Sequence, residues 1–260
     1  MIDALRLAFG TLSIVRVQPP PRVDRSLGRG AMLLAPLVGL VIGLVAEVIA
    51  LAVRWAIPGP ADLLLVSVLA IASLALLTRG LHLDGLADTA DGLGCGLPGA
   101  DGLEVMKRSD IGPFGVVTLL LVLLLQVAGL YTALFVGRGT LALVGGAVVS
   151  RLAITWACRQ GVPSARADGL GAAVADTVPV LAALATTAIV AILLAGIVWL
   201  DDDLQWVFGA NTLAALVAAL LVSQWLVHRC VQRFGGVTGD VMGATNEVAF
   251  LVFVLAVVVG

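Results

Sequence analysis

Pro113 to Val136 reads PFGVVTLLLVLLLQVAGLYTALFV, 24 residues without one charged side chain. An α-helix rises about 1.5 Å per residue, so roughly 20 apolar residues cross a hydrocarbon core about 30 Å thick. In lipid the backbone must satisfy its own hydrogen bonds, which makes a helix the conformation for such a run. Outward from it, runs of similar character lie at about 31–53, 61–79, 140–158, 178–200, 207–228 and 243–259. Of the 260 residues 60% are hydrophobic and 12% charged, and the mean hydropathy is +1.11, far from a soluble domain. These features predict an all-α polytopic membrane bundle, one transmembrane domain over 1–260. It has about seven spans, or six if the last run is re-entrant or tilted.

Basic residues orient the bundle, because Lys and Arg accumulate on the cytoplasmic side. With the N-terminus inside, twelve of the fifteen fall there: Arg6, Arg16, Arg22, Arg25, Arg29, Arg79, Lys107, Arg108, Arg159, Arg166, Arg229 and Arg233. Arg54 and Arg138 fall outside, Arg151 lies within a span, and Asp201-Asp202-Asp203 forms an external loop. Ile2, Leu5, Phe9 and Leu12 recur at helical spacing before Pro19-Pro20-Pro21. That pattern suits an interfacial segment over 1–30, with a frayed terminus as the alternative. A net charge of −2 offers no broad basic field, which argues against a nucleic-acid partner. Cys95, Cys158 and Cys230 are too scattered for a disulfide framework or zinc site and read as small apolar packing.

Three polar motifs fall on the inner side in this map, within loops expected at 80–112 and 231–243. The first is HLDGLADTADG at 82–92. If the second span continues as a helix, Asp84, Asp88 and Asp91 stand at i, i+4 and i+7 on one face. Stacked carboxylates repel, and a divalent cation relieves the repulsion; hard oxygen donors suit Mg²⁺, with Mn²⁺ as the alternative. The bland alternative is a solvated acidic helix end. His82 lies on another face and reads equally as an interfacial or substrate contact or as a ligand. The second motif is MKRSDIGPFG at 106–115, where Lys107, Arg108 and Ser109 suit phosphate and Asp110 the metal cluster. Lys107 and Arg108 also resemble an ordinary membrane anchor.

The third motif is GGVTGDVMGATNE at 235–247. Its glycines allow close backbone approach, and free N–H groups at the following helix start suit phosphate oxygens near Thr238. Asp240, Asn246 and Glu247 add oxygen ligands, and an ionisable Glu247 in an apolar segment needs a partner or water. Arg151, after Ser150, likewise needs an anion, with substrate phosphate or the aspartates as candidates and snorkelling as the alternative. The motifs share one side of the bilayer and can converge on one pocket. Acidic metal ligands, basic phosphate ligands and close-approach glycines imply phosphoryl-group transfer on a diphosphate substrate.

At these residues, and in their order along the whole chain, the sequence resembles the cobalamin-5′-phosphate synthase family, the adenosylcobinamide-GDP ribazoletransferases. One departure is that Arg108 and Asp110 exchange the acidic and basic positions of the family's frequent MKDSRIG. The resemblance implies Mg²⁺-dependent transfer of adenosylcobinamide phosphate from its GDP linkage to α-ribazole or α-ribazole 5′-phosphate, with release of GMP. It implies the cytoplasmic (inner) membrane of a prokaryote, and leaves room for homo-oligomers or association with other cobalamin-synthesis enzymes. On this reading Asp84, Asp88 and Asp91 hold metal, and Asp91 or Asp110 takes the hydroxyl proton. Lys107, Arg108 and Arg151 neutralise the diphosphate, while Asp240 and Glu247 complete the shell and His82, Ser109, Thr238 and Asn246 contact substrate. Two rivals remain at this level: a CDP-alcohol phosphotransferase, although that family's longer G-x3-D-x3-D continuation is absent, and a cation-coupled secondary transporter.

Overall fold

A computed structural model describes residues 1–57, 62–97, 99–108, 110–199 and 206–259. Ser109, the proline-glycine turn at 58–60 and the acidic loop at 201–203 lie outside the described residues. Each apolar run of the sequence forms a helix: α3 (Ala35–Ala56), α4 (Asp62–Leu77), α7 (Pro113–Phe135), α8 (Gly146–Ala157), α10 (Val180–Trp199), α11 (Trp206–Phe234) and α12 (Gly239–Val259). Among the described residues there is no β-strand, only isolated bridges pairing Arg159 with Val178 and Ser164 with Val237. Five of these helices, α3, α7, α10, α11 and α12, are long and apolar enough to cross a membrane, and a sixth crossing counts α4 together with the helix that follows it. The protein is an all-α, multi-pass membrane protein.

The fourth predicted run departs from a simple span. It begins with a π-helical turn, Leu141–Gly145, and continues as α8, a shorter apolar element buried along almost its whole length. Small residues let its neighbours close in. A Cβ on Gly39 of α3 would lie 2.9 Å from the Ala147 carbonyl carbon, and one on Gly146 would lie 2.9 Å from the Phe250 ring. Close backbone approach at small residues is how apolar helices associate in lipid, where hydrophobic burial no longer drives them together. The outward faces of α3 and α7 instead expose Leu44, Val48, Leu120 and Leu124, side chains suited to lipid tails.

The second predicted span does not continue straight into the acidic motif. Arg79 and Gly80 both take left-handed backbone angles (φ 57° and 69°), the geometry that closes a helix C-terminus. Gly80 N–H reaches back to Ala75 O at 2.8 Å, and α5 (Leu81–Gly94) restarts at 88° to α4. The stretch expected as an open loop over 80–112 is mostly α5 and α6 (Gly99–Val105), and of 231–243 only 235–238 remain outside a helix.

The N-terminal segment folds back on the same end. In α1 (Ile2–Leu12), Ala4, Ala8 and Leu12 are buried, while Ile2 is 67% exposed. Ile14 N–H donates to Leu77 O at 2.7 Å, fastening the segment beside the α4–α5 bend. Asp24 caps α2 (Arg25–Leu33) by accepting from Leu27 N–H at 2.8 Å. Arg25 then donates to the carbonyls of Ala172 and Ala175 around α9 (Gly169–Val174).

Candidate active site

α5 leaves α4 at 88° and packs against α12 and α7. Its first half lies on the start of α12 and its last turns lie on the start of α7. Two glycines set the first contact. A Cβ on Gly85 would stand 2.6 Å from Asp240 O and 2.9 Å from Asp240 Cα, and one on Gly243 would stand 3.1 Å from His82 Cα. The absence of these side chains brings Asp84 and Asp88 of α5 beside Asp240 of α12. Burial and the charges of Asp84, Asp240 and Asp91 raise the Asp88 carboxyl to about 7, against a smaller opposing pull from Arg166.

Arg166 is the cation at this cluster. Its Nη1 stands 3.6 Å from Asp240 Oδ2, and its Nη2 donates to Leu103 O of α6 at 3.0 Å. The strand-like segment 163–165 holds it there. Ala165 N–H donates to Val237 O at 3.0 Å, and Val237 N–H donates to Pro163 O at 2.9 Å. Gly236 permits this pairing, since a Cβ there would meet Ala165 N at 2.5 Å. Thr238 caps α12, its hydroxyl accepting from Val241 N–H at 3.2 Å and donating to Asp240 Oδ2 at 3.1 Å. Sequence reading counted Arg166 only as an orienting charge. The polar run 163–169, with Ser164, Arg166, Asp168 and Gly169 together between two apolar spans, is the signal that could have found it.

A cavity of about 300 Å³ opens beside these groups. Arg166, Asp168, Thr238 and Asp240 form its polar side, and Leu12, Met32, Ile154 and Met242 contribute its apolar wall. His82 lines it too, only 2% exposed, with both ring nitrogens lacking a hydrogen-bond partner.

Asp91 has a different duty. Its Oδ2 accepts from Gly112 N–H at 2.7 Å and its Oδ1 from Gly115 N–H at 2.9 Å. The buried carboxylate thus satisfies free N–H groups at the start of α7, where a helix favours negative charge. Lys107 is exposed and paired with Glu104 at 2.6 Å, and Arg108 and Asp110 are exposed as well. The cations of this motif do not form a closed cradle.

Arg151, Asn246 and Glu247 do not join the aspartates. Glu247 follows Asp240 by seven residues, about 10 Å along α12, and lies in a separate polar nest inside the bundle. Gln126 Nε2 donates to Glu247 Oε2 at 2.9 Å, and Asn246 Nδ2 donates to Glu247 Oε1 at 3.1 Å. Arg151 is 2% exposed, donates from Nη1 to Ser150 Oγ at 2.9 Å, and interacts electrostatically with Glu247. The single pocket expected from sequence is therefore divided into an acidic mouth and an inner charge nest, with His82 lining the mouth cavity and interacting electrostatically with Arg151 of the nest.

The donor set at the mouth fits a hard divalent cation in part. Asp84, Asp88 and Asp240 supply oxygens only, and their crowding raises Asp88. Among the described residues, however, no group of three carboxylate, histidine or cysteine side chains is placed to hold a metal ion together. A metal here would draw on no more than two of these carboxylates, with waters and substrate phosphates supplying the rest, a mode open to Mg²⁺. Cys158 and Cys230 are buried and free, as expected for packing.

The cobalamin-5-phosphate synthase family model matches residues 4–258. A protein of Frankia casuarinae called adenosylcobinamide-GDP ribazoletransferase is 45% identical over 95% of this chain and 91% of its own length. Proteins of the same name from a Nocardioides species and from Xanthobacter autotrophicus are 43% and 41% identical. They cover 98% and 86% of this chain, and 98% and 82% of their own lengths. No solved structure matches. With that match running through α5, the 235–238 turn and α12 alike, the chain belongs to the cobalamin-5-phosphate synthase family.

Proposed function

We propose that this chain is an adenosylcobinamide-GDP ribazoletransferase, acting at the cytoplasmic face of a prokaryotic inner membrane. The 3′-hydroxyl oxygen of α-ribazole, or of its 5′-phosphate, attacks the phosphorus that carries adenosylcobinamide. The bond from that phosphorus to the bridging oxygen breaks, GMP leaves, and the hydroxyl proton passes to a carboxylate. Adenosylcobalamin or its 5′-phosphate results. The observation that carries the reading is the convergence of Asp84 and Asp88 with Asp240 and Arg166 beside a cavity. Transfer of this kind needs alignment and charge compensation more than covalent help from the protein.

Asp88 with Asp84 or Asp240 would hold Mg²⁺ or Mn²⁺, which when bound neutralises diphosphate charge and polarises its oxygens. Arg166, fixed by Leu103 O, stabilises charge that develops on the transferred phosphoryl group. Asp91 fixes the start of α7 with both carboxylate oxygens, so of the two sequence candidates for the proton it is not the free one. The basic residues, twelve on the side of the motifs and two opposite, support the cytoplasmic placement.

The test is turnover by purified protein in detergent with adenosylcobinamide-GDP, α-ribazole and Mg²⁺. GMP and adenosylcobalamin should appear together, and EDTA should stop both. Release of CMP from a CDP-alcohol, with no GMP, would overturn the proposal in favour of phospholipid synthesis. Turnover in detergent, where no compartments exist, also excludes a role in transport alone.

A further inference from the structure

His82 is the most conspicuous unsatisfied group at the site. It is 2% exposed, and neither ring nitrogen has a partner. A buried polar group without a hydrogen bond keeps the cost of leaving water, so such groups are rarely left unpaired. The backbone holds the residue firmly, because Gly243 of α12 packs against His82 Cα and O. His82 is among the residues lining the cavity of about 300 Å³, whose apolar wall includes Leu12, Met32, Ile154 and Met242 and whose other side ends at Arg166, Asp168, Thr238 and Asp240.

We infer that this cavity is the subsite for the aromatic base of the acceptor nucleoside, and that His82 donates a hydrogen bond to the base's one free ring nitrogen. The inference rests on the ribazoletransferase reading and adds to it where one substrate sits. Size selects among the substrates first. Cavities that enclose small ligands run from roughly 300 to 1,000 Å³, so this one matches a nucleoside and is too small for a corrinoid. Polarity selects next. Guanine carries donors and acceptors around its edges, and at the end of the cavity where His82 meets Leu12, Met32, Ile154 and Met242, one imidazole would leave most of them unpaired. A benzimidazole joined to ribose through one nitrogen keeps a single acceptor and otherwise presents hydrocarbon. With the base against His82 and the apolar wall, the sugar faces Thr238, Asp240 and Arg166, where its hydroxyl is needed.

Steady-state kinetics on the full chain in detergent test this, with α-ribazole and adenosylcobinamide-GDP varied separately. His82→Ala should raise KM for α-ribazole about tenfold, the scale of one hydrogen bond, and leave KM for adenosylcobinamide-GDP unchanged. His82→Gln, which keeps a donor, should recover part of the loss. Ile154→Phe tests the wall independently if the histidine variants fail to fold. It should lower kcat/KM for the dimethylated base's riboside about tenfold relative to the unsubstituted benzimidazole riboside, the scale of an overfilled pocket. A rise in the adenosylcobinamide-GDP KM alone would assign the cavity to the donor and overturn the inference. Unchanged KM values with unchanged base preference would also overturn it. Both outcomes presuppose wild-type GMP release, whose absence would instead sink the ribazoletransferase reading.

Discussion

Asp88 carries the clearest electrostatic signature. Its carboxyl is raised to about 7 by burial and by neighbouring aspartates. The ionised form is therefore disfavoured in the metal-free fold, and the penalty grows as pH climbs from the ordinary carboxylate range through about 7. A cation bound there removes the penalty, so Mg²⁺ should raise the melting temperature more at pH 8 than at pH 6. The Mg²⁺ concentration for half-maximal turnover should fall as pH rises over the same interval. Asp88→Asn should lower turnover by about 100-fold or more while the melting temperature holds or rises, because a repelled charge is gone. Near-normal turnover would remove Asp88 from the site. Arg151 makes the opposite case. Arg151 is buried and acts electrostatically on Glu247 without a direct ion pair, so Arg151→Met, which leaves that carboxylate uncompensated, should lower thermal stability. Adding Glu247→Gln, which keeps the oxygen that accepts from Gln126, should restore part of it. Two independent, additive losses would show that the residues do not act as a pair.

At the scale of elements, the site depends on how closely α5 and α12 cross. Gly85→Val would force β-carbon bulk against Asp240 and part the carboxylates by a fraction of an ångström or more. A misplacement of about 1 Å can cost roughly 100-fold in rate, so turnover should drop on that scale while the protein still inserts and purifies. Equal turnover would mean that the crossing does not set the site. The apolar helices were legible because lipid imposes one rule on every residue of a span. The 88° bend after α4 was not, because it hangs on two left-handed residues, Arg79 and Gly80, of which only the glycine announces itself. The aspartate spacing on α5 was legible as a shared face. The engagement of Asp91 with α7 was not, since it pairs residues more than 20 positions apart.

Across the whole molecule, the acidic motif, the glycine turn before α12 and the Arg166 segment meet at one end of the bundle, while Arg151 and Glu247 lie deeper. Sequence located that end from its charges, but depth along a helix became apparent only once α12 was seen to carry Asp240 at its first turn and Glu247 two turns further in. Arg166 escaped notice because its role comes from pairing between 163–165 and 237, a contact across more than 70 residues. The central claim is that this end forms a ribazoletransferase site open to the cytoplasm. Membrane vesicles of defined orientation test it directly, with adenosylcobinamide-GDP, α-ribazole and Mg²⁺ supplied only from outside. Inside-out vesicles should release GMP at once, and right-side-out vesicles only after detergent permeabilises them. Prompt GMP release by intact right-side-out vesicles, with none from inside-out ones, would contradict the account.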